Sequence, residues 1–255
     1  MLRRLMPAAV LLAVVLAACG GTSAPAINDP TEIISQGLEA TADATSFHLD
    51  LSVTGNLTIP DTGGTFDLEG TTATGDFDIA NKLGHLTFEV PALFSLSGDV
   101  LQIGNDTYVK TSLTGDSWTK STVADASEVP TDPDKALAGL QDFLGKEGVQ
   151  TEKLADVNCG DRTCYAVKLT IPSALLAEGS EVAGIDPSEM VGDALVLNMQ
   201  FDRENLRLTQ LSSDIDAGDN GTFGLLLTLS GYGEPVEVSP PPSDQVTEGT
   251  PQLPF

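Results

Sequence analysis

Positive charge is scarce in these 255 residues: 12 Lys and Arg stand against 37 Asp and Glu, a formal net charge of −25. Such a surface is repelled by nucleic acid phosphates and anionic lipid headgroups, which excludes a nucleic acid partner. Aromatic residues make up only 5% of the chain, with a single Trp, so an interior has to be filled mostly by Leu, Val and Ile. Histidine occurs twice, as His48 and His85, and both fall at solvent-side positions of expected strands. A hydrolase needs a nucleophile beside a base, and no G-x-S-x-G, H-E-x-x-H or Gly-rich phosphate loop is present. The reading is therefore of a protein that is not an enzyme, with no catalytic residue, no cofactor and no metal. The acidic group Asp214, Asp216, Asp219, Asn220 does not follow the EF-hand spacing and suits a hairpin turn. No apolar run is long enough to span a bilayer, which takes ~20 residues.

What the N-terminus does contain is an export signal, expected over residues 1–18. Arg3 and Arg4 precede an apolar stretch from Leu5 to Leu16, and Ala17-Ala18 lead to Cys19-Gly20. Small residues before a cysteine match the bacterial lipobox, so Cys19 is the expected lipidation site and first mature residue. Loss of Arg3 and Arg4 takes the formal charge from −25 to −27. A diacylglyceryl group holds a protein firmly where one chain holds it marginally, at ~0.8 kcal/mol per buried CH₂. The expected location is the outer face of the bacterial cytoplasmic membrane, with the membrane engaged through the anchor on Cys19.

Residues 19–30 are small and polar and read as a flexible tether, and 239–255, rich in Pro, Ser and Gly, as a loose tail. One domain is expected over 31–238. Its two cysteines, Cys159 and Cys164, flank four residues that include Gly160 and Asp161, a hairpin turn able to hold a disulfide.

A helix opens the domain, capped by Asp29, with Ile34, Leu38 and Ala42 as its apolar stripe. The period then changes to two. Phe47, Leu49, Leu51, Val53, Leu57 and Ile59 alternate with polar residues, as do Leu86-Phe88-Val90, Leu195-Leu197-Met199-Phe201 and Phe223-Leu225-Leu227-Leu229. Each is a strand with one dry face, and short turns make neighbours antiparallel. A helix carries Leu137, Leu140, Phe143 and Leu144, and weaker helical patches lie near Ser173 to Glu178 and Pro187 to Val191. The fold class is α+β: a strongly curved antiparallel sheet, covered on its apolar face by a few helices. So few helices under so long a sheet leave two outcomes open, a tightly filled core or an apolar hollow.

The order of features carries a resemblance. Lipobox, tether, capped helix and long strands are followed by Gly104-Asn105-Asp106-Thr107-Tyr108-Val109-Lys110 and Trp118-Thr119-Lys120. The Leu137/Leu140 helix, the Cys159/Cys164 hairpin, Tyr232-Gly233-Glu234-Pro235-Val236 and Pro240-Pro241-Pro242 come after. Across most of the mature chain this resembles the LppX/LprG (LppX_LprAFG) group of actinobacterial cell-envelope lipoproteins. The resemblance implies a half-barrel around an apolar cavity, akin to outer-membrane lipoprotein carriers, and binding of acyl chains of a lipid or glycolipid. It also implies lipid transport within the envelope, in some cases beside a membrane transporter. The cavity would be lined by Leu49, Leu51, Val53, Leu86, Phe88, Leu197, Met199, Phe201, Leu225 and Leu227, with Leu140 and Phe143 on the opposite wall. Lys82, Lys110 and Lys120 are sparse partners for a polyanionic cargo, which favours a neutral lipid. Trp118 reads as a cap on the sheet's open end or a residue at the pocket entrance. The alternative is a surface interaction, sensor or assembly module with a filled core and no lipid.

Overall fold

A computed structural model describes residues 26–59, 64–122, 139–176 and 191–249. The expected signal, Cys19, and parts of all three later expected helical stretches lie outside the described residues.

The first element is helix α1 (Pro30–Ala42). Asp29 Oδ1 accepts the backbone N–H groups of Thr31 and Glu32 at 2.8 and 3.3 Å, answering two of the first turn's orphan donors. Proline at the first helical position gives up no hydrogen bond there. The buried stripe is Ile33, Ile34, Leu38 and Thr41. Ala42 is exposed, because the helix rotates Ile33 and Thr41 inward instead. Thr41 has polar work to do: its hydroxyl donates to Gly37 O at 2.7 Å and accepts from Leu208 N–H at 2.9 Å, joining the helix to the sheet.

Strands follow in chain order: β1 (Ser46–Ile59), β2 (Gly64–Asp67), β3 (Thr71–Asp78), β4 (Leu83–Val90), β5 (Leu96–Ile103), β6 (Asp106–Thr111) and β7 (Trp118–Thr122). Residues 139–143 are helical. Then come β8 (Gln150–Lys153), β9 (Val157–Cys159), β10 (Arg162–Pro172), the short α2 (Ser173–Leu176), β11 (Ala194–Asp202), β12 (Leu208–Asp216), β13 (Gly221–Ser230) and β14 (Val246–Glu248). All fourteen strands among the described residues join one sheet, in the order β14-β7-β6-β5-β4-β3-β1-β13-β12-β11-β10-β8, with β2 added to β1 and β9 to β10. The sheet is open and curved, the half-barrel α+β architecture expected. Every pairing but one is antiparallel, and β3 to β7 and β11 to β13 pair in succession as hairpins, since their connections are too short for a crossover. The exception is β14, which runs parallel to β7.

Within the expected loose tail of 239–255, the described part, 239–249, is not loose: it contains β14. The chain leaves β13, and Val238 and Val246 pack on Leu101, Tyr108 and Trp118 on the convex face before the pairing with β7. Burying these apolar groups outweighs the disorder that a Pro- and Ser-rich composition would otherwise allow, and the pairing covers an edge strand. Trp118 is accordingly buried under this strap, with the Lys110 ammonium 4.8 Å from its ring centre, and is neither a cap on the open end nor an entrance residue. The expected tether also ends earlier than residue 30: Ile27 packs on the core and its N–H donates to the Tyr165 hydroxyl at 3.1 Å.

Cys159 and Cys164 form the expected disulfide, Cα–Cα 5.9 Å, across the hairpin of β9 and β10.

Candidate functional site

Residues one strand apart and in register share a face, so the pairing alone lays out the concave surface. One row crosses nine strands from β10 to β6: Val167, Met199, Leu211, Leu227, Leu51, Ala73, Phe88, Gly98 and Thr111. The next row includes Leu229, Leu49, Gly75, Leu86, Val100 and Val109. Both are apolar from end to end until they reach threonine at Thr111 and Thr119. This is a continuous oily surface tens of ångströms wide, because adjacent strands lie ~4.8 Å apart.

Its two halves differ. Over β8, β10 and β12 lies α1, and Ile33, Ile34 and Leu38 interlock with Val167, Leu169, Ile171, Leu197, Met199, Phe201 and Leu208. The contact is intimate at Gly37, where an added Cβ would sit 2.3 Å from the Phe201 ring. Leu140 and Phe143 pack against this same cluster, and so does α2 through Leu175 and Leu176. Phe201 and Met199 are 0% and 1% exposed, so both are sealed within the packing. That corrects the expectation for Leu197, Met199 and Phe201, which are solid core because the helix is seated directly on them, and for Leu140 and Phe143, which pack on this core and do not form the opposite wall of a cavity. Leu49 and Leu227 mark the border, half-buried and touching the core at its edge.

Beyond that border the face is only half-covered. Leu51, Val53, Leu86, Phe88 and Leu225 are half-buried and stand outside the core cluster. Small residues alternate with them in the rows: Ala73 between Leu51 and Phe88, Gly75 between Leu49 and Leu86, Gly98 beyond Phe88. A Cβ at Gly98 would fall 2.8 Å from the tip of the Phe88 ring and 2.4 Å from Lys110 O; at Gly75 it would fall 2.3 Å from His85 O. The strands bend closely together at these glycines, and the Phe88 ring lies down over the gap, an arrangement that curves a sheet while keeping its surface low. The result is a shallow apolar trough over β1, β3, β4, β5 and β13. Phe47 and Phe77 close the end near the first residues of β1, ring centres 5.4 Å apart.

Sequence reasoning missed two of the trough's five strands. β3 (TTATGDFD) and β5 (LSGDVLQI) hide their inward residues among Thr, Gly, Ser and Asp. The only signal for Ala73, Gly75, Phe77 and Val100 was alternation interrupted by glycine.

The convex face holds the charged groups. His48 Nδ1 lies 2.8 Å from Asp76 and its Nε2 3.2 Å from Asp50. The hydrogen bond with Asp76 raises its pKa above the usual imidazole value, against a smaller opposing effect of burial. Thr74 is 3.4 Å from the same imidazole, but its hydroxyl donates to Asp50 at 2.8 Å, and the site is a flat exposed surface. Burial would push the Asp99 carboxyl up, but hydrogen bonds from Lys110, His85 and Thr87 hold it below the ordinary range. A hollow of about 330 Å³ opens here between His85, Asp99, Lys110, Trp118 and Glu237. Asp216, of the acidic turn, accepts Gly218 N–H at 3.0 Å, as a turn residue does. Among the described residues no cluster of His, Cys, Asp and Glu has the geometry of a metal site, and no helix is long and apolar enough to cross a membrane.

This open half-barrel, part solid core and part apolar trough, recurs in proteins of known structure. Two solved structures share it. The Mycobacterium tuberculosis lipoprotein LppX matches with a TM-score of 0.53 and 20% identity, over 83% of this chain and 100% of that one. LprF from Mycobacterium bovis matches with 0.54 and 20%, over 83% and 96%. The resemblance noted from the order of motifs therefore extends to the fold. The sequence matches no family model and no curated protein sequence.

Proposed function

We propose that the protein is a lipid-anchored envelope lipoprotein that binds the acyl chains of a lipid or glycolipid in its apolar trough and carries them without covalent chemistry. The observation that carries this is the half-covered apolar patch of Leu225, Val53, Leu51, Phe88 and Leu86, which spans three neighbouring rows and is continuous with the core yet outside it. Exposing one long acyl chain to water costs ~0.8 kcal/mol per CH₂. A trough that receives the chain removes that barrier and leaves exchange with a bilayer near balance. No step requires a nucleophile, a cofactor or a metal.

The remaining parts of the reading follow from the N-terminus. Residues 1–18 are removed as a signal, Cys19 carries diacylglycerol and an amide-linked chain such as palmitate, and the domain stays on the outer face of the cytoplasmic membrane. A membrane transporter is a candidate donor or acceptor. The acidic surface and the paired state of Lys110 and Lys120 favour a neutral cargo over a polyanionic one.

The test is native mass spectrometry of the full chain with Cys19→Ser, exported without its anchor. Extra mass matching a lipid, removable by solvent and replaceable by a fluorescent fatty acid, is expected. Bare protein that takes up no probe would reject the carrier reading in favour of an interaction module.

A further inference from the structure

The described turns divide between the two ends of the half-barrel. The turns after β4, β6 and β12 lie at one end; those after β3, β5 and β11 lie at the other. Ile27, bonded to Tyr165 near the start of β10, belongs to the second end, so the tether reaches the domain there. The first end is the free one.

At that free end stand the two most exposed large apolar side chains among the described residues: Phe94, 98% exposed, and Leu113, 63% exposed. They sit on neighbouring loops. Ser112 N–H donates to Ser97 O at 2.7 Å, and Ser97 N–H donates back to the Ser112 hydroxyl at 3.2 Å. Neither loop is slack. Ser95 N–H donates to Pro91 O, Leu96 N–H to Leu93 O, and Thr114 Oγ1 accepts from Thr111 N–H, all at 3.0 Å.

The backbone of Pro91-Ala92-Leu93-Phe94-Ser95 is also strained. Phe94 and Ser95 have φ of +56° and +57°, left-handed values that glycine or asparagine would adopt more cheaply. Such conformations persist where surrounding structure enforces them, and they cluster at binding sites. Here the strain holds a whole phenyl ring in water, the opposite of what stability alone favours. The loops also continue the trough: Phe88 and Leu96 flank the Phe94 loop in the chain, and Thr111, at the end of the apolar row, leads into the Leu113 loop.

We infer that Phe94 and Leu113 form a lipid-contact rim, which dips into an uncharged or zwitterionic lipid surface so that acyl chains pass between that surface and the trough without crossing water. This rests on the proposed function. The nearby carboxylates Glu89 and Asp116 argue against an anionic surface, which would repel them. An apolar tip buries its side chains at the headgroup boundary, and the trough behind it supplies a dry path.

The test uses the full chain with Cys19→Ser, so that no anchor masks the rim, and compares it with Phe94→Ser/Leu113→Ser in that background. Two readouts are needed: uptake of a fluorescent fatty acid from solution, and extraction of the same probe from phosphatidylcholine vesicles, with vesicle co-flotation. The parent is expected to do both, less well when about a third of the lipid is phosphatidylglycerol. The double variant is expected to take up free probe like the parent, with an unchanged circular dichroism spectrum. Its vesicle binding and extraction should fall about ten-fold or more, since each side chain lost is one that would be buried in lipid. Extraction at the parent's rate by the variant, or a parent that ignores vesicles, overturns the rim; the latter result would point to a protein surface instead. A parent that floats with vesicles but takes up no probe overturns the carrier reading, and with it the passage of chains across the rim, and leaves only the rim's contact with lipid.

Discussion

Two phenylalanines on the same face of the sheet should answer very differently to the same truncation. Phe201 is 0% exposed and held under Gly37 of α1, so Phe201→Ala removes a ring from solid core and leaves a void that the helix, anchored by Thr41 and its cap, cannot close. Core Phe→Ala changes cost about 3–5 kcal/mol, a large part of the ~5–15 kcal/mol that holds a domain folded. Phe88 is half-buried and lies over Gly98, with one side open, so Phe88→Ala forfeits roughly half as much burial and leaves no sealed void. About 1–2 kcal/mol is expected. Urea unfolding, read by the buried Trp118, measures both costs, with the denaturant slope serving as the check that each variant stays two-state. Fatty-acid probe binding under native conditions separates the roles: Phe88→Ala should weaken it several-fold, and folded Phe201→Ala should leave it unchanged. Equal costs in stability, or loss of probe binding in Phe201→Ala alone, would refute the division into core and trough.

Three further outcomes follow from the geometry. Gly98→Leu places a side chain where the Phe88 ring and Lys110 O already are, so it should destabilise by about 1–3 kcal/mol and weaken probe binding, read by the same two assays. His48 has a raised pKa in the folded state, so its pairing with Asp76 and Asp50 supports the fold fully below about pH 6.5 and less as pH rises through the folded value. Asp76→Asn should flatten that slope and return the imidazole titration, followed by NMR, toward its ordinary midpoint. Replacing both Cys159 and Cys164 with Ser frees the β9–β10 hairpin in the unfolded chain and should cost about 2 kcal/mol in denaturant unfolding.

The legible parts of the fold were those written in local pattern. Asp29 before Pro30 announced α1, the alternation from Phe47 to Leu57 announced β1, and the spacing of Cys159 and Cys164 announced a bridged hairpin. β3 and β5 were not legible, because a concave sheet needs small residues at Ala73, Gly75 and Gly98, and these erase the hydrophobic alternation that marks a strand. β14 escaped for a related reason: Val238 and Val246 find their apolar partners 120 to 138 residues away in the chain, on Trp118 and Tyr108.

Chain order and period alone determined the class, since a two-residue repeat with short turns admits little but an antiparallel sheet with one oily side. Which stretch of that side is plugged was decided only in three dimensions. Leu86 and Leu197 look alike in the chain, each an apolar residue in a strand that alternates. They differ because α1 lands on one and not on the other, and where a helix lands depends on contacts such as Gly37 with Phe201 and Thr41 with Leu208 that span well over a hundred residues. Long-range packing, not local preference, separates core from trough.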